Sequence, residues 1–151
     1  MRRLILLLVL IAVPALAQAR LTDDGVRAFV ARQERAWNAG DLTGYFAAFT
    51  PDARFTDQAY VGDKPPVSYG TSTLAEARTQ ARKALKGDKP RETGRILRIV
   101  IAADGRSARV DSTVASQVKA RRLCASRTQV VVLDKGGLRS RGQTDTFIRC
   151  R

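Results

Sequence analysis

Apolar residues recur at steps of three and four after Thr22, which is the spacing of an amphipathic helix. Thr22 is a good N-cap, so the pattern predicts a first helix that ends near Gly40, and Asp41 can cap a short second helix. Thr73 and Glu76 have capping-box spacing and predict a third helix. The buried side of the first two helices is expected to carry Val26, Phe29, Val30, Gln33, Trp37, Leu42, Tyr45, Phe46 and Phe49.

The period of the hydrophobic pattern changes to two after Gly94, which indicates antiparallel strands. Asp104-Gly105 is a two-residue hairpin signal, and the register that it sets puts Ile99 opposite Val110. A second hairpin is predicted to turn at 134–137. One face of the first hairpin is expected to carry Leu97, Ile99, Ile101, Val110, Val114 and Val118, with Ser112 on the same face either lining a cavity or accepted within the core.

Two short strands are predicted between the second and third helices, over 53–57 and 67–69. Thr50-Pro51-Asp52 predicts a turn before the first of them, because proline is favoured at the second position of a turn. The predicted order is therefore helix, short helix, strand, strand, helix and four antiparallel strands. This order is typical of the α+β class.

The first nineteen residues have the pattern of a secretory signal peptide. Met1-Arg2-Arg3 is basic, the segment 4–13 is an unbroken apolar run, and Ala17-Gln18-Ala19 offers a small-residue cleavage site. The alternative is a membrane anchor, but this run is well short of the ~20 apolar residues that a spanning helix needs. We therefore expect residues 20–151 to form one domain, with no membrane span after cleavage, in the periplasm or outside the cell.

The chain is strongly basic, since 27 Lys and Arg residues against 14 Asp and Glu residues give a formal net charge of +13. Such a surplus of positive charge favours binding to polyanions. The alternative is that the charges only form a solvated cationic surface. The basic residues are scattered and not interleaved with aromatic residues, so nucleic-acid binding is not expected. The sequence contains no histidine, the commonest general base and transition-metal ligand, and no metal or other cofactor is expected.

Cys124 and Cys150 are the two cysteines of the chain. If the protein is exported, the oxidising environment outside the cytoplasm favours a disulfide between them. The register of a simple hairpin at 134–137 argues against the pair, because it puts Cys124 opposite Phe147 and on the other face from Cys150. A β-bulge would remove both objections, since one extra residue reverses the parity of everything after it.

A resemblance to a known superfamily lies in the N-terminal third. Ala36-Trp37-Asn38-Ala39-Gly40-Asp41, followed by the segment from Tyr45 to Asp57, resembles the N-terminal signature of the nuclear-transport-factor-2-like superfamily, which includes SnoaL-like polyketide cyclases and ketosteroid isomerases. The resemblance implies a cone-shaped roll, in which three helices pack on a strongly curved, mostly antiparallel sheet with a cavity at the open end. It also implies frequent homodimers through the outer sheet face, where Val130 and Val132 are expected to point outward.

The resemblance carries three positions of the ketosteroid isomerases onto this chain. The strand aspartate that transfers the proton falls on Asp57, and the two oxyanion donors, a tyrosine and a neutral carboxylic acid, fall on Gln33 and Gln129. Both donors are amides here, so the catalytic set is incomplete. Asp57 shares strand parity with Phe55, so it is expected either to face the cavity with a raised pKa or to bond backbone N–H groups or an arginine at the strand end.

Three functions are consistent with this sequence. The first is an exported protein whose cavity binds a small, partly apolar molecule. The second is an isomerase, cyclase or dehydratase that uses Asp57 as its base, and the third is a cationic module that binds a protein or an anionic polymer. The expected cavity residues are Gln33, Trp37, Tyr45, Phe55, Ser112 and Gln129, although a residue such as Trp37 more often belongs to a core than to a ligand site.

Overall fold

The computed structural model describes residues 20–150, so the predicted signal peptide lies outside the described residues. Three helices and six strands follow one another in the order that the sequence predicts. They are α1 (Asp23–Asn38), α2 (Leu42–Ala47), β1 (Phe49–Ala59), β2 (Val67–Thr73), α3 (Leu74–Leu85), β3 (Arg91–Ile101), β4 (Ser107–Val118), β5 (Arg121–Asp134) and β6 (Gly137–Ile148).

The helix starts follow from local hydrogen bonding. The Thr22 hydroxyl accepts from Gly25 N at 3.1 Å, and the Asp41 carboxylate accepts from Gly44 N at 2.8 Å. At α3 the capping box is complete, because Thr73 and Glu76 each bond the backbone of the other. These caps satisfy amides that have no partner inside the helix, and all three predicted starts are confirmed.

The six strands form one sheet in the order β2-β1-β6-β5-β4-β3. The β1–β6 pair is parallel and the other four pairs are antiparallel. One core cluster joins α1 to the sheet through Val26, Phe29, Val110 and Val131, and a second joins α2, α3 and β1 around Phe49. The α+β prediction, with three helices on one side of a mostly antiparallel sheet, is confirmed.

The first hairpin has the predicted register, with Ile99 opposite Val110. The side-chain direction predicted for this hairpin is wrong at Leu97. A bulge between Ile96 and Arg98 makes Leu97 the extra residue, so its side chain is 54% exposed and Ile96 packs against the core instead. One inserted residue reverses the parity of the strand on its far side.

A second bulge accounts for the disulfide. The hairpin at 134–137 pairs Val131 with Ser140 but Val130 with Gly142, so Arg141 is an extra residue. Cys124 consequently lies opposite Ile148 rather than Phe147. The predicted bond between Cys124 and Cys150 is present, with their Cα atoms 5.2 Å apart.

Two predictions on β1 and β5 need correction. The segment Thr50-Pro51-Asp52 is not a turn between elements but lies inside β1, where the pairing with β6 is interrupted between Phe49 and Arg54. The two valines expected to point outward share one face of β5, but Val130 is 38% exposed, whereas Val132 is only 9% exposed. The apolar strip on the outer face is therefore narrower than predicted.

Candidate functional site

Three cross-strand rows of side chains line the side of the sheet that faces the helices. The rows share one side because each lies two residues from the next along every strand. The amide row contains Phe55, Gln143, Gln129 and Val110, the charged row contains Asp57, Asp145, Arg127 and Ser112, and the mouth row contains Ala59, Phe147, Ala125 and Val114.

Arg127 is held between two carboxylates at the centre of the charged row. Its Nη1 donates to Glu92 Oε1 at 2.7 Å, its Nε donates to Asp145 Oδ1 at 2.7 Å, and its Nη2 donates to Asp145 Oδ2 at 2.9 Å. The Arg127 side chain is 14% exposed. Burial disfavours the charged guanidinium, but the carboxylates of Asp145 and Glu92 outweigh this effect and hold the pKa of Arg127 above its usual value.

Glu92 reaches Arg127 from the edge strand because the end of α1 fixes the backbone at that point. Asn38 Nδ2 donates to Glu92 O at 2.8 Å, and Glu92 N donates to Asn38 Oδ1 at 2.6 Å. The Asn38 side chain thus bonds both the N–H and the C=O of Glu92, which face the edge of the sheet where no further strand pairs with β3. The last turn of α1 is tied to the edge strand where the ion pair forms.

An aromatic hollow of about 350 Å³ lies between α3 and the sheet. Asp57 and Asp145 lie on its sheet side, and Ala77, Ala81 and Ala84 line it from α3. The small alanine side chains leave the space that larger residues would fill. The aromatic lining is formed by Trp37, Tyr45, Phe46, Phe55 and Phe147.

A second hollow, of about 360 Å³, lies between α1 and strands β3 to β6. We call it the amide hollow, because three glutamines line it. Gln129 Nε2 donates to Gln33 Oε1 at 2.8 Å, and Tyr45 Oη donates to Gln143 Oε1 at 3.3 Å. Ser112 lies on the same wall. Five residues line both hollows and form a shared wall, namely Tyr45, Glu92, Val114, Arg127 and Gln143.

Asp57 lines the aromatic hollow with an exposed side chain, next to Phe55 as its strand parity predicts. Its carboxylate forms no ion pair within residues 20–150. Partial burial raises the pKa of Asp57, the neighbouring Asp145 carboxylate raises it further, and the Arg127 charge offsets only part of this. Asp57 is therefore a carboxylate that faces a hollow without a protein partner.

The sequence assigns its candidate residues to one cavity, whereas the structure places them in two hollows. Gln33, Ser112 and Gln129 line the amide hollow, whereas Trp37, Phe55 and Asp57 line the aromatic hollow. Tyr45 borders both hollows, and burial raises the pKa of its phenol well above the usual value. The candidate base and the two candidate amide donors thus lie on opposite sides of the shared wall.

Arg127 is the residue that sequence reasoning missed. It is one of many scattered arginines in the chain, and neither carboxylate partner is near it in sequence. The available signal is parity, because Arg127 shares a strand face with the inward Gln129. A basic residue at an inward position indicates a buried ion pair, since a buried charge requires a partner.

Two further observations concern the described part of the chain. Within residues 20–150, no group of three or more histidine, cysteine, aspartate or glutamate side chains is placed to hold a metal ion. No helix in the same range is long and apolar enough to cross a membrane.

No protein family model matches this chain, and no curated protein matches it in sequence. Solved structures do match its fold. A nuclear-transport-factor-2-like protein of unknown function from Shewanella oneidensis MR-1 superposes with a TM-score of 0.63 at 15% identity, over 82% of this chain and 97% of that one.

Two enzyme-related structures are similar to the same extent. A ketosteroid isomerase-like protein from Erwinia carotovora atroseptica SCRI1043 has a TM-score of 0.60 at 13% identity, covering 84% of this chain and 96% of that one. The β subunit of the benzoate 1,2-dioxygenase from Burkholderia mallei ATCC 23344 has a TM-score of 0.63 at 10% identity, covering 86% and 93%. Residues 20–150 therefore have the nuclear-transport-factor-2-like fold that the N-terminal signature predicts.

Proposed function

We propose that this protein binds a small, partly apolar molecule in the aromatic hollow, with Asp57 contacting the polar group of the ligand. One observation carries the proposal: an aromatic-lined space of about 350 Å³ contains the Asp57 carboxylate, which forms no ion pair within residues 20–150. Small-molecule sites are typically ~300–1,000 Å³ and combine an apolar lining with few polar groups. The indole Nε1 of Trp37 adds a buried donor that has no acceptor in the described part of the chain.

The charges around the hollow favour a cationic ligand. Asp57, Glu92 and Asp145 supply three negative charges when ionised, and Arg127 supplies one positive charge that is already paired. Aromatic faces also attract cations, by ~0.5–2 kcal/mol. The preferred ligand is therefore an organic ammonium with an apolar body, although the chain as a whole carries a net charge of +13.

Trp37 provides the test, because it is the single tryptophan of the chain and lines the hollow. Titration with 2-phenylethylammonium should change its emission in a saturable way, and 3-phenylpropionate should bind at least about tenfold more weakly. Asp57→Asn should remove this preference, whereas Asp52→Asn, on the same strand outside the hollow, should keep it. If neither compound binds saturably, the proposal is overturned. Native mass spectrometry of the gently purified protein would reveal a retained ligand.

A second candidate function is proton transfer with Asp57 as base. The raised pKa of Asp57 favours it, since a general base works best when its pKa approaches the working pH. The separation of Asp57 from Gln33 and Gln129 argues against a matched oxyanion donor. Isomerisation of a β,γ-unsaturated ketone that Asp57→Asn abolishes, with fold retained, would favour this function over binding alone.

We further propose that residues 1–19 are removed on export and that residues 20–151 act as one domain in an oxidising compartment. The disulfide between Cys124 and Cys150 supports this location, because such bonds persist outside reducing compartments. N-terminal sequencing of the exported protein should begin at Arg20. A full-length N-terminus on the mature protein would contradict the proposal.

We also propose a homodimer through the outer sheet face, where Val100 on β3 and Val130 on β5 are exposed in one cross-strand row, with Arg109 of β4 between them. Light scattering of the purified protein should give twice the mass of one chain, and Val130→Lys should give a monomer.

If the wild type is monomeric and binds an anionic polymer with a steep loss of affinity as salt rises, the cationic-module function is supported instead.

A further inference from the structure

A third hollow, of about 660 Å³, lies beside α3 and the first residues of β1. From α3 it is lined by Leu74, Arg78 and Arg82, which recur at four-residue steps and therefore share one face of the helix. The alanines that line the aromatic hollow lie on a different face of α3, and of the described residues Phe46 alone lines both spaces. We call this third hollow the arginine groove, because Arg139 of β6 also lines it.

Arg78 is a partly buried cation whose charge is not compensated within residues 20–150. Its Nη2 donates to Thr43 Oγ1 at the long distance of 3.4 Å, and its Nε is buried without an acceptor in the described range. No ion pair of Arg78 forms in this range either. A buried charge is normally paired with an opposite charge, and a buried N–H normally has an acceptor. The expected partner is therefore an anion that residues 20–150 do not supply.

Two further arginines add to the positive charge of the groove. Arg82 is exposed one helical turn after Arg78 and forms no ion pair in the described part of the chain. Like charges four residues apart on a helix repel each other, so an anion between them would relieve this repulsion. Arg139 is partly compensated, because its Nε lies 3.5 Å from Asp134 Oδ2. Among the described residues, no aspartate or glutamate lines the groove, which therefore favours an anion.

The rest of the lining is apolar or carries hydroxyl groups. Phe46, Phe49 and Leu74 supply apolar surface, and Thr43 and Thr79 supply hydroxyls. A ligand that fits this lining combines an anionic group with an apolar body. A phosphate ester suits two unpaired arginines better than a carboxylate does, because it has three free oxygens and carries about 1.5–2 negative charges at neutral pH.

We propose that the arginine groove is a binding site for a phosphate monoester with an apolar group, which goes beyond the ligand proposed for the aromatic hollow. The phosphate oxygens accept from Arg78 and Arg82, and the apolar group lies against Phe46 and Leu74. A soluble ester and the headgroup of a phosphatidic acid share this chemistry. The aromatic hollow and the arginine groove thus take ligands of opposite charge.

The test follows the side-chain Nε–H resonance of Arg78 in ¹⁵N-labelled protein that keeps its native N-terminus. Phenyl phosphate is the probe at neutral pH, and the Arg78 resonance should shift saturably with it. Inorganic phosphate lacks the apolar body and benzoate offers fewer oxygens, so each should bind at least about tenfold more weakly, and phenol should not bind. Arg127 Nε, which donates to Asp145, supplies an internal control that should not shift.

Three variants locate the bound phosphate. Affinity is followed through the ³¹P resonance of phenyl phosphate, so that the readout survives the removal of Arg78. Arg78→Gln should weaken binding about tenfold, because it removes a charged donor at a partly buried position. Arg82→Gln, at an exposed position, should weaken it about threefold and keeps the test valid if Arg78→Gln does not fold. Lys83→Gln makes the same charge change at the next residue of α3, outside the groove, and should leave the affinity unchanged.

Three results would each overturn the proposal. They are no saturable shift of Arg78 with phenyl phosphate, equal affinity for inorganic phosphate, and an equal loss of affinity in Lys83→Gln and Arg82→Gln. Asp57→Asn should leave phenyl phosphate binding unchanged. A severalfold change in that variant would place the ligand in the aromatic hollow and contradict the proposed site.

Vesicles of phosphatidylcholine containing phosphatidic acid distinguish the two sources of the phosphate group. Binding to these vesicles that Arg78→Gln removes and Lys83→Gln keeps supports the lipid headgroup. Phenyl phosphate binding without vesicle binding supports a soluble ester.

Discussion

Asp57 and Asp145 are neighbours on the parallel strands β1 and β6, and within residues 20–150 only Asp145 is paired with a cation. Asp145 accepts two hydrogen bonds from Arg127, which also binds Glu92. The guanidinium is thereby occupied, and Asp57 remains a carboxylate beside another carboxylate. The same residue type in adjacent positions is structural in one case and available to a ligand in the other.

Replacing Asp57 by Asn is expected to stabilise the fold at neutral pH. Because burial and Asp145 raise the folded-state pKa of Asp57 above 3.8, ionisation costs more in the folded than in the unfolded protein. The wild type therefore loses stability, relative to the variant, as pH rises through the raised pKa. Urea unfolding of both proteins should show a difference at neutral pH that disappears well below 3.8. A difference that grows on acidification would contradict this assignment.

Replacing Asp145 by Asn is expected instead to destabilise the fold at neutral pH. The change weakens two hydrogen bonds to a buried guanidinium, and each charged hydrogen bond contributes ~1.5–3 kcal/mol. Because Glu92 still holds Arg127, we expect a loss of about 2 kcal/mol in the free energy of unfolding at neutral pH. Equal effects of the Asp57 and Asp145 substitutions would refute the distinction between the two residues.

Replacing Arg127 by Met should cost about 4 kcal/mol, because two buried carboxylates then lose their shared partner. Arg121→Met, at an exposed position on the same strand, should change the stability by no more than about 0.5 kcal/mol. Chemical denaturation of the two variants against wild type measures the contrast. A small effect at Arg127 would mean that the ion pairs contribute little net stability.

The bulge at Arg141 depends on Gly142, which has φ +143°. A Cβ there would collide with the backbone oxygen of Arg54 and lie 2.8 Å from its nitrogen. Gly142→Ala should therefore cost about 3 kcal/mol, combining steric overlap with a strained backbone. Gly136→Ala, at a positive φ but with open space around it, should cost about 1 kcal/mol. Thermal unfolding compares the two variants. Equal losses of stability would show that the close approach to Arg54 adds nothing to the cost at Gly142.

Reduction of the disulfide should lower the free energy of unfolding by about 3.5 kcal/mol, since the bond closes a loop between residues separated by 26 positions. Urea unfolding with and without a reductant measures this loss. Cys124→Ser/Cys150→Ser should unfold like the reduced protein and should not respond to the reductant. A reductant effect in that variant would indicate a cause other than the disulfide.

Local sequence signals predicted most of the elements correctly. Thr22, Asp41 and Thr73 start helices because their side chains bond amides within three residues. Asp104-Gly105 sets the first hairpin because the turn and the alternating pattern agree on one register. Such interactions involve neighbours in the chain, so the sequence is enough to identify them.

The candidate site was only partly predictable. The sequence identified Gln33, Tyr45 and Asp57 as inward-facing, but it did not assign them to two separate hollows. It also gave no role to Arg127, whose ion pairs define the wall between those hollows. The missing information is the lateral neighbour of each strand residue, which periodicity along one strand does not contain.

The sequence by itself determined the helices with their caps, the two hairpin turns and the class of fold, because each depends on interactions between residues close in the chain. Only the tertiary structure decided which side chains meet across the sheet. The extra residues Leu97 and Arg141 reverse strand parity, and the parallel pairing of β1 with β6 brings Asp57 beside Asp145. Side-chain direction alternates at every residue, so one insertion or one pairing between distant strands changes the chemistry of a whole face.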